Sequence, residues 1–240
     1  MHGYDPFLYE VRYRKVYEAG AEFWEKPVPT DVLIDFIGRY RRELHGGIAV
    51  EFGCGEGRNA IYLAKEGFRV LCLDVASLAI AKASRFAKAK SILNIDFMIA
   101  DAVNPGIRNN CFDLAVDIAL LHIIIDPEVR GKYLHEVLRI LKPGGLFFIC
   151  NLASDKPVTV NDFYRDKPKP GTLIPRRIIV GNREKEILLP IIPAWPRTLK
   201  EYVDELQRAG FEVVEAFRKI VNGIGDSCII VARKKTAFIG

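Results

Sequence analysis

The chain has no apolar run near the ~18 residues that cross a bilayer, and Met1 to Lys15 mixes aromatic and charged side chains instead of grading from basic to apolar as a leader does. A cytoplasmic protein with no membrane partner is therefore the expectation. It has no Cys-x-x-Cys pair. Cys54, Cys72, Cys111, Cys150 and Cys228 are scattered, mostly inside apolar stretches, so they read as reduced core thiols and no metal site is expected. Gln207 is the sole glutamine and methionine occurs twice, a poverty in labile side chains of the kind found in thermophiles. Neither charge sign dominates: 35 Lys and Arg face 30 Asp and Glu, which falls short of the one-faced basic density of a dedicated nucleic-acid binder. Repeats and low-complexity tracts are also missing, which excludes a tandem array.

What remains is 240 residues, 50% of them apolar and 27% charged, enough for one domain spanning 1–240 with a large core. Apolar runs of strand length alternate with helix-period segments, the pattern of a mostly parallel sheet with crossover helices. Strands are predicted at 48–52, 68–74, 95–99, within 112–121 and at 146–150. Helices are predicted at 6–18, 30–44, 58–66, 77–90 and 127–141, the last opened by Asp126-Pro127 and stopped by the turn Lys142-Pro143-Gly144-Gly145. Residues 1–45 read as a helical cover. From Asn151 to Pro196 the rhythm breaks: more than half of the prolines fall here, eight basic residues face five acidic ones, and a hairpin is predicted around Gly181-Asn182. This segment reads as an inserted lid. A capping box at Thr198 and Glu201 then opens a helix, and strands at 211–220 and 227–232 are close enough to pair antiparallel.

The informative segment is Val50-Glu51-Phe52-Gly53-Cys54-Gly55-Glu56-Gly57. A dinucleotide fingerprint needs Gly-x-Gly-x-x-Gly to seat a pyrophosphate on the helix N-terminus, and here the third slot is Arg58, which disfavours a nicotinamide cofactor. Alternate glycines let the backbone bend beneath a ligand without phosphate, with Glu51 able to meet a positive group. Asp74, ending the second strand, can accept from ribose hydroxyls; Asp101-Ala102, after the third, can accept from an adenine amino group. All three acids fall at carboxyl ends of neighbouring parallel strands, where open sheets form their ligand crevice.

This constellation resembles the class I S-adenosylmethionine-dependent methyltransferases. The resemblance runs closely from Ile48 to Cys150 and adds Cys72-Leu73-Asp74-Val75, Ala100-Asp101-Ala102, Phe112 to Asp117 and Leu141 to Gly145, in the family's order. It implies a Rossmann-like α/β fold: a mostly parallel seven-stranded sheet with helices on both faces and a C-terminal antiparallel strand pair. It also implies S-adenosylmethionine as cofactor, with Glu51, Gly53, Cys54, Gly55, Gly57 and Asn59 near its methionine part. Asp74 and Val75 would lie at the ribose, Asp101 and Ala102 at the adenine, and Asp117 at the inner edge, although Asp117 alternatively caps its strand. Trp24 to Pro27 before a helix, with Gly53 to Ala60, looks more narrowly like the tellurite-resistance and thiopurine methyltransferase-like branch.

His122, following strand four at the crevice rim, is the candidate catalytic base, with a hydrogen-bonded structural histidine as the competing reading. Tyr9, Tyr13 and Tyr17 recur every fourth residue, so that one helical stripe either packs into the core or covers the ligand. Strand four continues as Asp117 to His122 in place of the Asn-Pro-Pro-Tyr segment of base-methylating relatives, which favours a small-molecule acceptor, a thiol or chalcogenide in the narrower branch. RNA or protein methylation, and a non-catalytic cofactor-binding scaffold, are the alternatives.

Overall fold

The computed structural model describes residues 7–23 and 27–236. Trp24, on which part of the branch resemblance rests, lies outside the described residues. Seven strands form one sheet: β1 (Ile48–Phe52), β2 (Arg69–Asp74), β3 (Ile95–Ile99), β4 (Phe112–Ile118), β5 (Leu141–Leu152), β8 (Phe211–Val221) and β9 (Gly225–Lys234). Their order is β3-β2-β1-β4-β5-β9-β8; the first five run parallel, and β9 is antiparallel to both β5 and β8. Because helices cover both faces, the central strands are buried on both sides, which is why they read as near-continuous apolar runs.

The helices are α1 (Phe7–Glu18), α2 (Asp31–Leu44), α3 (Arg58–Lys65), α4 (Ser77–Ala89), α5 (Pro127–Ile140), the single turn α6 (Val160–Phe163) and α7 (Leu199–Arg208). On one face Phe36 of α2 and Leu63 of α3 pack against Ala49, Val70, Leu114 and Phe148; on the other, Tyr133 and Val137 of α5 and Leu206 of α7 pack against Val50, Phe52, Phe147 and Ile230. Alternate residues of one strand thus feed two cores. Two caps form as the sequence indicates: Asp126 accepts from the backbone N–H groups of Glu128 and Val129, and Thr198 with Glu201 closes a reciprocal box. Thr30 precedes α2, but its backbone N–H and hydroxyl are directed to Asn59 Oδ1 at 2.9 and 3.1 Å instead of capping the helix.

Two expectations are corrected. Lys142 to Gly145 is not a free turn: β5 begins at Leu141, which pairs with Phe112, and the register then shifts before Leu146 pairs with Leu114. A bulge absorbs the extra residues inside the sheet. Nor are all five cysteines reduced, since Cys54 and Cys72 form a disulfide with their Cα atoms 5.7 Å apart. The backbone N–H of Cys54 donates to Leu73 O at 3.0 Å, and this contact brings the loop after β1 alongside β2 and the two thiols together.

After β5 the chain forms the hairpin of β6 (Leu173–Val180) and β7 (Arg183–Pro190), turning at Gly181-Asn182. It is not an independent unit. Ile178 and Leu189 are buried with Val16 and Ala21, and the Arg12 guanidinium donates to Pro190 O at 2.6 Å. The N-terminal helix and the hairpin therefore make one cover over the carboxyl ends of the parallel strands.

Candidate active site

Beneath that cover lies a cavity of about 770 Å³. Its floor is the loop after β1, where Gly53, Gly55 and Gly57 all have positive φ, between +54° and +77°. Gly55 and Gly57 need their missing side chains for different reasons. A Cβ on Gly55 would sit 2.7 Å from the Tyr13 hydroxyl, whereas one on Gly57 would sit 3.0 Å from Ala83 Cβ of α4. The first glycine makes room under the cover; the second lets α3 start close against α4.

Two carboxylates shape this end. Glu51 is buried, and its Oε1 accepts from Asn59 Nδ2 at 2.9 Å while Oε2 is buried with no hydrogen-bond partner among the described residues. Burial pushes its pKa up to about 7, against the opposing pull of the Asn59 amide and the Arg58 charge. Asp74 accepts from the backbone N–H groups of Gly55 and Ala76, each at 2.8 Å. Burial pushes its carboxyl above the ordinary range, and those backbone donors pull it back. Asp74 therefore pins the glycine loop from β2 while leaving further lone pairs for donors in the cavity. Asn59 braces Glu51 from behind and ties it to Thr30 at the start of α2.

Of the residues singled out from the sequence, Glu51, Gly53, Cys54, Gly55, Asn59, Asp74, Val75, Ala102 and His122 line the cavity. Gly57, Asp101 and Asp117 do not. Asp101 Oδ1 accepts from the backbone N–H of Val103 at 3.0 Å, and its neighbours Ala100 and Ala102 face the cavity instead. Asp117 is fully buried beneath the floor, accepting from the backbone of Leu120 and Leu121, from the Tyr133 hydroxyl at 2.8 Å and from Asn151 Nδ2 at 2.8 Å. Its side chain organises the turn after β4, and does not reach the cavity edge.

That turn carries His122, whose ring is buried and whose Nδ1 lies 2.8 Å from Asn151 Oδ1. Burial, with the nearby Arg130 charge and against the Asn151 hydrogen bond, lowers the imidazole pKa to about 4, so the ring is neutral at physiological pH. The backbone is equally constrained. Arg130 donates to Leu121 O at 2.5 Å and Ile124 O at 3.0 Å, and the N–H of Trp195 donates to His122 O at 2.6 Å.

The opposite wall belongs to the cover. It presents Tyr9, Ile174, Ile191 and Tyr164 with three cations, Arg12, Arg176 and Lys167. Arg12 is buried, and desolvation together with the charge of Arg176 lowers its pKa to about 10. The sequence pointed to a basic lid, but Arg12 on α1 and Asn151 at the end of β5 were not singled out. Asn151 had one available signal: it is a polar residue next to the last position of an apolar strand at the carboxyl edge of a parallel sheet.

Residues 49–145 match the profile of a methyltransferase domain. The chain is 29% identical over 200 residues to 2-heptyl-1-hydroxyquinolin-4(1H)-one methyltransferase of Mycobacteroides abscessus, covering 83% of this chain and 82% of the relative. The enzyme is an S-adenosylmethionine-dependent methyltransferase. A second relative, probable thiol methyltransferase 2 of Arabidopsis thaliana, is 28% identical over 139 residues, which are 55% of this chain and 58% of its own length. The fold also matches Burkholderia thailandensis 1,6-didemethyltoxoflavin-N1-methyltransferase, solved with 1,6-didemethyltoxoflavin and S-adenosylhomocysteine, at TM-score 0.62 and 20% identity, covering 92% and 82% of the two chains.

The methyltransferase's own residues suit that cofactor. Glu51 Oε2, which has no hydrogen-bond partner among the described residues, belongs to a buried carboxyl that an ammonium group would complete and hold ionised, and Asp74 offers acceptors suited to a ribose diol. S-adenosylmethionine contains both groups, and it supplies an electrophilic methyl carbon on a sulfonium.

Proposed function

We propose that the methyltransferase acts on a small molecule with an apolar body, an acidic group and a hydroxyl that receives the methyl group. The observation that carries this reading is the neutral His122 ring set in the wall of a chamber whose other side is apolar and cationic. Glu51 and Asp74 hold the cofactor end, Val75 and Ala102 flank it, and Tyr13 lies across Gly55. Arg12, Arg176 and Lys167 take the acidic group, and Tyr9, Ile174 and Ile191 exclude water from the body. Orientation supplies much of the rate, because displacement at a methyl carbon needs the attacking atom in line at ~3–3.5 Å.

His122 accepts the hydroxyl proton. An imidazole with a conjugate-acid pKa of about 4 is a weak base, but it is unprotonated throughout the neutral range. A hydroxyl oxygen gaining a third bond becomes a far stronger acid than imidazolium, so the proton moves to His122 late in the transfer. The relative whose substrate name contains a hydroxyquinolinone supports a hydroxyl acceptor.

The second reading is a thiol or chalcogenide acceptor, favoured by the thiol methyltransferase relative and by the branch resemblance at Arg58-Asn59. Such an acceptor arrives ionised and leaves His122 no proton to take. Incubation with methyl-labelled cofactor and a panel of hydroxyaryl acids, their carboxamides, thiols, selenols and bulk RNA separates these readings. We expect label on the hydroxy acids. There, His122→Ala should lower kcat by ~10²–10⁴, and the wild-type profile should have no acid limb near the ordinary histidine range, since that limb moves down to about pH 4. Label appearing on thiols alone, with His122→Ala fully active, would establish the second reading.

A further inference from the structure

The proton acceptor has two ring nitrogens, and the fold decides between them. Asn151 is the penultimate residue of β5, one past the last residue paired with β4, and is fully buried. Its amide orientation is fixed from both sides. The backbone N–H of His122 donates to Oδ1 at 3.0 Å, so that atom must be the oxygen; Nδ2 donates at 2.8 Å to Asp117. Asp117 in turn is held as an acceptor by the backbone N–H groups of Leu120 and Leu121, neither of which can reverse its role. Each link therefore has one polarity, and it ends on Nδ1 of His122, 2.8 Å from an oxygen that can only accept.

We propose that Asn151 is a positioning residue: anchored by Asp117, its amide oxygen holds His122 as the Nδ1–H tautomer and presents the Nε2 lone pair to the acceptor chamber. The inference rests on the reading of His122 as the proton acceptor and adds how the ring is armed. A neutral imidazole free to choose its tautomer would spend part of its time with Nε2 protonated, unable to accept. Here that state would put the lone pair of Nδ1 against the Asn151 oxygen, opposing two acceptors in a dry site, which is penalised as an unmade buried hydrogen bond. The groups facing the ring agree with this. Asp117 acts only through Asn151, and the guanidinium of Arg130, held by Glu205, opposes a positive ring. A carboxylate in direct contact would instead favour imidazolium. The amide transmits orientation without transmitting charge, so the ring stays neutral and correctly turned.

The test is the protonation of the ring itself. Protein labelled with ¹⁵N-histidine and saturated with S-adenosylhomocysteine is studied by long-range ¹H–¹⁵N correlation at neutral pH, with His122 assigned by its loss in His122→Gln. We expect the proton on Nδ1 and a bare Nε2; an Nε2–H tautomer or an imidazolium overturns the proposal, with no variant required. Asn151→Leu should shift the ratio of the two tautomers at least about tenfold towards Nε2–H, corresponding to the loss of one buried hydrogen bond. Asn151→Asp should keep Nδ1–H while raising the imidazole pKa, a response that a merely space-filling residue would not give. Unchanged tautomers in Asn151→Leu would overturn the role of Asn151. A bare Nε2 combined with full turnover in His122→Ala would instead remove His122 from the chemistry and leave the tautomer assignment standing, so the two failures are distinct.

Discussion

The two ends of the cavity are built by opposite means. The end proposed to hold the cofactor is made of backbone turns and two buried carboxylates near the ends of neighbouring strands, Glu51 on β1 just before the glycine loop and Asp74 on β2, which reaches Gly55 across 19 positions of sequence. The end proposed to take the acceptor is assembled from α1, the turn after β4 and the hairpin, and its cations come from residues as far apart as Arg12 and Arg176. One end holds a buried carboxyl that desolvation makes costly to ionise; the other brings the guanidinium groups of Arg12 and Arg176 near enough to oppose each other's charge. On the proposed reading, the cofactor is met by groups on the sheet and the acceptor by groups on the cover, so substitutions in the cover should change acceptor binding while sparing the sheet.

The largest effect should come from Asp74. Its loss removes both the pin on Gly55 and the acceptors offered to the ribose, so Asp74→Ala should weaken S-adenosylhomocysteine roughly 10²–10⁴-fold in calorimetry, two charge-assisted bonds at about 1.5–3 kcal/mol each. Binding within threefold of wild type would erase the distinction between the two ends.

Glu51 gives a pH signature confined to the cofactor end. In the empty protein its carboxyl holds a proton below about pH 7, whereas an ammonium partner needs the carboxylate. Cofactor affinity should therefore fall about tenfold for each pH unit below 7 as the proton competes, and Glu51→Gln should flatten the slope. Stability runs the other way. A folded-state pKa raised above the unfolded value stabilises the empty protein fully below the ordinary glutamate range, and that contribution is lost as pH rises through about 7. Glu51→Gln should accordingly raise the melting temperature of the empty protein more at pH 8 than at pH 5, and equal shifts at both would contradict the buried-acid account.

Gly55 tests whether the cover and the floor are one surface. Gly55→Ala forces a side chain into left-handed backbone at a cost of roughly 1–2 kcal/mol and into the Tyr13 hydroxyl, which would be 2.7 Å away. An affinity loss of about tenfold is expected, partly recovered by adding Tyr13→Phe; additive losses in the double variant would uncouple α1 from the loop.

The smallest effect belongs to Arg176, which is exposed at the chamber rim. Arg176→Gln should raise KM for a hydroxyaryl acid by roughly 2–5-fold, the value of a solvent-exposed ion pair, while leaving its carboxamide and kcat unchanged. Equal effects on acid and amide would move the anion site elsewhere.

The sheet, its burial on two faces and the glycine loop were legible in the sequence alone, because each rests on short-range signals. Strand runs bounded by glycine and caps such as Asp126 and Thr198 act within a few residues of themselves. Tertiary structure alone decided the rest. That Asp117 lies beneath the floor and not at its edge, that Cys54 meets Cys72, that Thr30 turns to Asn59 and that Asn151 reaches His122 all depend on which strands become neighbours. Polar side chains choose partners by distance and direction after the backbone has closed, and residues 29 positions apart along the chain, like His122 and Asn151, acquire both only when β4 and β5 pair.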